Sequence, residues 1–195
     1  MEQFVLGRRV FEIVKNLFTT QVESSFLVTF KDKKYLARKY QNEEDFHEAL
    51  YRYKKLVKCS IYTPTLEYKD KKQYLLIFNY IDKPHADEVL ANDELEDIYF
   101  EKLFTLYRYA RANQVDINYL PENFVLDGKT LYYTSLDLFD QNPEINLENY
   151  GLEFWIMSRK GYDHLTKLGY QIDKKRIMST GESNKKIVLL SLYNW

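Results

Sequence analysis

Residues 116–139 read DINYLPENFVLDGKTLYYTSLDLF, and this stretch decides how the rest of the chain is read. Two apolar runs, NFVLD and TLYYTSL, flank the sequence DGK. Asp-Gly between such runs is a strong hairpin signal, because a tight two-residue turn needs positive φ. The stretch therefore predicts a hairpin of these two short strands, followed by the acidic residue Asp137.

On either side, the pattern alternates between strand and helix. In the first forty residues FEIVKNLF, SSFLVTF and KKYLARKY are rich in β-branched and aromatic residues, and KDKK supplies a turn between the last two. Residues 43–58 predict a helix, acidic in its first turn and lysine-rich in its last, with Phe46, Leu50, Tyr53 and Val57 at helical spacing. IYTPTLEYKDKKQYLLIFNYI predicts two strands around a charged turn. Residues 93–113 carry the longest helical pattern, with Ile98, Leu103, Leu106 and Tyr107 inward. Beyond the hairpin the pattern predicts a helix from about Asn146 to Leu168, then an extended KKIVLLSLY after the loop STGES. Strands, helix, strands, long helix, hairpin and helix make an α+β chain, strand-rich in front and helix-rich behind.

Composition narrows the function classes. Lys plus Arg number 28 against 29 Asp plus Glu, a net charge of −1 that argues against a nucleic-acid or anionic-membrane binder. Cys59 is the single cysteine, so neither an intrachain disulfide nor a thiolate metal cluster is available. The start MEQFVLGRRVFEIVKN mixes apolar and charged residues, unlike a signal peptide, and IVLLSLY is too short to span a bilayer. The expected location is cytoplasmic. The 18 Tyr and 12 Phe are read as core aromatics rather than base-stacking surfaces. His47, His85 and His164 lack ligand spacing.

The order of elements and several local strings resemble the protein-kinase superfamily, over about residues 10–160. PENFVLDG matches the end of a kinase catalytic loop, and SLDLF lies where D-F-G is expected. The resemblance implies Asn123 and Asp137 as magnesium ligands. YLARKY resembles the V-A-I-K strand, with Lys39 as the phosphate-binding lysine. Glu48 is the counterpart of its helix partner, with Glu44 one turn away, and a solvated carboxylate is the competing reading. QYLLIFNYID resembles the strand and hinge of an adenine pocket, with Phe78 as gatekeeper and Asn79, Tyr80 and Ile81 as hinge.

Two departures bear on activity. The three glycine positions of the phosphate loop hold Phe18, Thr20 and Glu23, whose side chains block close backbone approach. Asn118 stands five residues before Asn123, in the place of the catalytic aspartate, and an amide is not basic enough to take a hydroxyl proton. Asp116 is the candidate substitute base, although residues i and i+2 of an extended segment lie roughly 6–7 Å apart.

The resemblance implies a single domain over 1–195: a two-lobed protein-kinase-like fold with a β-rich N-lobe (about 1–80), a hinge (about 79–84) and a truncated helical C-lobe (about 85–195). The short segment after Asp137 resembles minimal RIO and Bud type kinases. The implied function is Mg-ATP or ADP binding with weak or absent phosphotransfer, as a pseudokinase that regulates or scaffolds a protein partner. The alternatives are an active atypical kinase acting on a Ser/Thr or small-molecule hydroxyl, and a nucleotide-free interaction module like the pseudokinase domains of type VII secretion systems.

Overall fold

The alternating front of the chain builds one six-stranded antiparallel sheet in the computed structural model, which describes residues 2–142, 144 and 146–195. Its strands are β1 (Gln3–Leu6), β2 (Arg9–Thr19), β3 (Glu23–Phe30), β4 (Lys33–Tyr40), β5 (Leu66–Asp70) and β6 (Leu75–Asn79), in the order β1-β2-β3-β4-β6-β5. The expected KDKK turn is a two-residue hairpin in which Lys31 and Asp32 both take positive φ, 51° and 58°.

The sheet buries different chemistry on its two faces. One face gathers Phe4, Leu6, Phe11, Val28, Tyr35, Ala37, Leu75 and Ile77 into a core. Phe11 is its centre, with ring centroids 5.1, 5.6 and 5.4 Å from Phe30, Tyr35 and Tyr68. Helix α1 (Glu43–Lys58) has the bounds expected from sequence and packs on the other face. There Phe46 meets Tyr40 at 6.4 Å and Tyr53 meets Phe78 at 5.5 Å. Val57 is 50% exposed, and the neighbouring Leu56 is buried in its stead. Both positions follow Tyr53 by about one turn, so packing makes the choice that spacing leaves open.

The chain divides into two compact units, Met1–Lys55 with Thr63–Asp82, and Leu56–Tyr62 with Lys83–Trp195. The second holds α2 (Ala86–Asn92), α3 (Asp97–Ala112), β7 (Val115–Ile117), β8 (Phe124–Asp127), β9 (Thr130–Tyr133), β10 (Leu138–Asp140), α4 (Arg159–Lys167) and α5 (Thr180–Asn194). β8 and β9 form the expected hairpin, with Gly128 at φ 59° in its turn. β7 pairs antiparallel with β10, a small ladder absent from the sequence reading. Trp155, fully buried, donates Nε1–H to the Tyr119 carbonyl at 2.6 Å and packs on Phe124 at 5.1 Å.

Two expectations are corrected here. The helix expected over 146–168 is a short 3-10 turn (Gly151–Phe154) followed by α4. Ser158 separates them: its hydroxyl donates to the Glu153 carbonyl at 2.7 Å and accepts from Gly161 N–H at 3.0 Å, capping a new helix. The segment KKIVLLSLY is helical, not extended. Ser179 and Glu182 form a reciprocal capping box at the start of α5, so the apolar run continues a helix already nucleated. No helix among the described residues is long and apolar enough to cross a membrane.

Candidate functional site

In the second unit, residues far apart in sequence meet around Asn118. Strand β7 delivers Asn118 to the start of a loop that ends in the 3-10 turn Pro121–Asn123. Proline suits the first position of that turn, where its missing N–H would have no partner. The Asn118 side-chain amide donates to Asp137 Oδ2 at 3.4 Å, and Asn123 Nδ2 donates to the Asn118 carbonyl at 3.4 Å. Asn118 Oδ1 accepts from Leu120 N–H at 3.2 Å. The structure thus brings Asn118, Asn123 and Asp137 together.

Tyr133 holds this arrangement from beneath. Its hydroxyl accepts from Asn118 N–H at 3.1 Å and donates to the Asp137 carbonyl at 2.9 Å, and the side chain is fully buried. Thr134 adds a clasp, donating its N–H and Oγ1–H to the Asn123 carbonyl at 2.8 and 3.0 Å. Neither residue is a site candidate in the sequence reading. Their only mark there is position, just before Asp137 on a strand that must run back beneath the loop.

Asp116 lies in the interior. It is 5% exposed and stands opposite Phe139 in the β7–β10 ladder. Oδ2 accepts a long 3.5 Å bond from Asn142 N–H, and the Tyr119 hydroxyl lies beside the carboxylate. Burial raises its pKa above the ordinary carboxylate value, and the nearby Tyr119 hydroxyl and backbone amides work in the opposite direction. Burial, together with the Asp116 charge, raises the Tyr119 phenol as well. A cavity of about 400 Å³ is lined by both Asp116 and Asn118.

The first unit distributes its charges differently from the expected lysine–glutamate pair. Successive side chains of β4 point to opposite faces. Lys39 is exposed and shares the face of Tyr35 and Ala37, with Ser24 and Leu75 opposite it. Arg38 instead lies on the face that packs against α1, and it pairs with Glu23 at 3.5 Å, the side chains being 11% and 15% exposed. Glu48 is exposed and bonded to Arg52 at 2.8 Å, one turn along the same helix. Lys39 and Glu48 are not brought together. Between β2 and β3, the Thr20 hydroxyl accepts from Val22 and Glu23 N–H at 3.3 and 3.1 Å. Those amides, of the kind a glycine-rich loop turns toward phosphate, are already used.

The expected hinge residues also lie in this unit. Phe78 is buried in β6 on Tyr53. Asn79 closes the strand by a two-way contact with Thr65: its N–H donates to the Thr65 carbonyl at 2.9 Å, and its Oδ1 accepts from Thr65 N–H. Tyr80 and Ile81 are partly exposed.

As donors, Asp137 and Asn123 offer one carboxylate and one amide oxygen. Magnesium accepts such a sparse protein set when phosphates and water complete its octahedron. The described residues contain no group of three or more His, Cys, Asp or Glu able to hold a metal.

No protein-family model matches the chain, and no curated protein sequence matches it. Among solved structures it is similar to the crystal structure of the BubR1 kinase domain, with a TM-score of 0.51. The chain has a kinase-like fold. Identity is 12%, the match covers 71% of this chain, and the chain spans about half the length of that kinase domain. In that kinase-like frame the six-stranded sheet with α1 is the β-rich part, and α2–α5 make the helical part.

Proposed function

We propose that this kinase-like chain is a regulatory or scaffolding module of the pseudokinase kind. It binds Mg-nucleotide weakly at Asn123 and Asp137 and transfers phosphate slowly or not at all. The observation that carries this reading is the Asn118 amide at 3.4 Å from Asp137 Oδ2. A neutral donor occupies the place of the catalytic carboxylate and turns toward the expected metal ligand instead of toward a substrate hydroxyl. Loss of a general base lowers a rate by about 10²–10⁴. In the first unit, the amides of the Thr20 turn are bonded within the turn itself.

Calorimetric titration with ADP and ATP, with and without magnesium, on wild type and Asp137→Ala tests the reading. Metal-dependent binding that disappears in the variant is the expected result. A second reading, a nucleotide-free interaction module, is favoured by the Glu48–Arg52 pair, which leaves Lys39 without its expected carboxylate. Absence of binding in every titration selects it.

A further inference from the structure

We infer that the outer face of α5 is an interface with a second copy of this chain, packed antiparallel across a two-fold axis. The surface lies within the second unit, includes none of the candidate nucleotide ligands and does not depend on nucleotide binding.

Residues 187–193 read IVLLSLY and are apolar around nearly the whole helix, so one neighbour cannot cover them all. Ser183 is buried and Ile187, Leu190 and Asn194 partly so, at the spacings of three and four that mark an inner side. The helix is anchored along its length: Lys186 pairs with Glu94 at 2.8 Å, Arg108 donates to the Asn194 carbonyl, and the Trp195 ring meets Tyr107 at 5.8 Å. The opposite side carries Val188, Leu189 and Leu192 at 56%, 38% and 72% exposure, flanked by Tyr193 at 82% and Trp195 at 56%.

The area is close to what a dimer needs. An aromatic side chain carries roughly 150–250 Å², so Tyr193 and Trp195 alone leave roughly 300 Å² open. With the three aliphatic residues the face reaches the upper end of what monomers expose, about 300–600 Å². A stable interface takes roughly 800 Å² from each partner, so this face supplies most of it and its rim the rest.

The face is also complementary to itself. On a helix of 3.6 residues per turn, Gly181, Lys185, Val188 and Leu192 fall in one row. A two-fold axis between positions 188 and 189 sets Lys185 against Leu192 of the second copy, and Gly181 against its Trp195. A Cβ on Gly181 would meet nothing within 4 Å, so open space in one copy faces the largest side chain of the other. Lys185 is exposed and is the one charge in the row. Its stem lies along Leu192 of the second copy, and its ammonium reaches the open Tyr193 ring in a cation–π contact. The two lysines of an antiparallel pair stand roughly 10 Å apart along the axis, whereas a parallel pair sets them side by side. This match of size and charge within one surface favours a second copy over an unrelated partner.

Sedimentation equilibrium of the full chain tests the inference. The expected result is a reversible monomer–dimer equilibrium with a Kd of about 1–100 µM. Leu192→Lys sets like charges face to face across the axis and should weaken the dimer at least about tenfold, with circular dichroism unchanged at this exposed position. Adding Lys185→Glu to that variant should restore most of the loss. On oxidation Val188→Cys should cross-link two copies, because position 188 lies beside the axis. Lys185→Cys should not, because a disulfide needs Cα atoms within about 7 Å. The native Cys59 is buried. A chain still monomeric at about 100 µM overturns the inference. If that monomer sediments with phosphatidylcholine vesicles the face is a membrane contact, and if it does not the face belongs to a different protein. Dimerisation unchanged in Leu192→Lys overturns it too, and equal cross-linking through 185 and 188 overturns the antiparallel arrangement.

Discussion

Asn118 and Asp137, nineteen positions apart in the chain, face each other with amide nitrogen and carboxylate oxygen 3.4 Å apart. Tyr133 fixes both ends of that relationship, one through a backbone N–H and the other through a carbonyl. The pairing sets a neutral amide beside the carboxylate, in contrast to a site in which two carboxylates meet.

Replacing Asn118 by Asp tests this contrast. Two carboxylates at roughly 4 Å repel by about 1–4 kcal/mol at intermediate dielectric. Asn118→Asp is expected to melt several degrees lower than wild type at pH 7 and to recover on acidification. Magnesium should stabilise the variant more than the wild type, as read by thermal melts with and without the ion. An identical magnesium response in both proteins would contradict the placement of Asp137 as a metal ligand.

Tyr133→Phe removes one hydroxyl and two bonds. Asn118 N–H and the Asp137 carbonyl lose their partner in a part-buried setting, at about 1–3 kcal/mol. Denaturant titration should show that loss. Hydrogen exchange should quicken at the Asn118 amide more than at the amides of α4.

The pH dependence follows from Asp116. Its folded pKa lies above the unfolded value because burial disfavours the charged form. The folded state therefore holds the proton more tightly than the unfolded state. Below the unfolded pKa both states are protonated and there is no penalty. As pH rises through the raised pKa, stability is lost. Asp116→Asn should thus gain on wild type, by a few degrees in Tm, between pH 4 and pH 8. A stability difference that stays flat over this interval would remove Asp116 as its source.

In the first unit the energetic weight falls on Arg38. Arg38→Met leaves Glu23 largely buried without its cation and should cost about 3 kcal/mol. The exposed Lys39→Ala should stay within about 0.5 kcal/mol of wild type. Chemical denaturation of the two variants checks the contrast, and the reverse order would overturn the assignment of sheet faces.

Ser179→Ala breaks the capping box of α5 and should cost about 1 kcal/mol. Exchange of the amides in 180–194 is expected to quicken selectively, with the β7–β10 ladder unaffected.

The string Ser179-Thr180-Gly181-Glu182 carries the S-x-x-E signature ahead of an apolar run, so the helical state of α5 was legible but outweighed by the β-prone residues that follow. The bounds of α1 were also legible, because charge at both helix ends and apolar spacing agree. So was the β8–β9 hairpin, because Asp-Gly specifies its turn. The short β7 and β10 were not, since three residues carry too little pattern to be seen without the partner that completes their hydrogen bonds.

By itself the sequence determined the alternation of β4, with Arg38 and Lys39 on opposite faces, and the identities of Asn118, Asn123 and Asp137. Strand geometry imposes alternation on any residues. Only tertiary structure decided that α1 covers the Arg38 face, that Glu48 bonds Arg52, and that Asn118 reaches Asp137. These are choices among surfaces and partners distant in the chain, and they are settled by which packing buries the most apolar area while leaving the fewest polar groups unpaired.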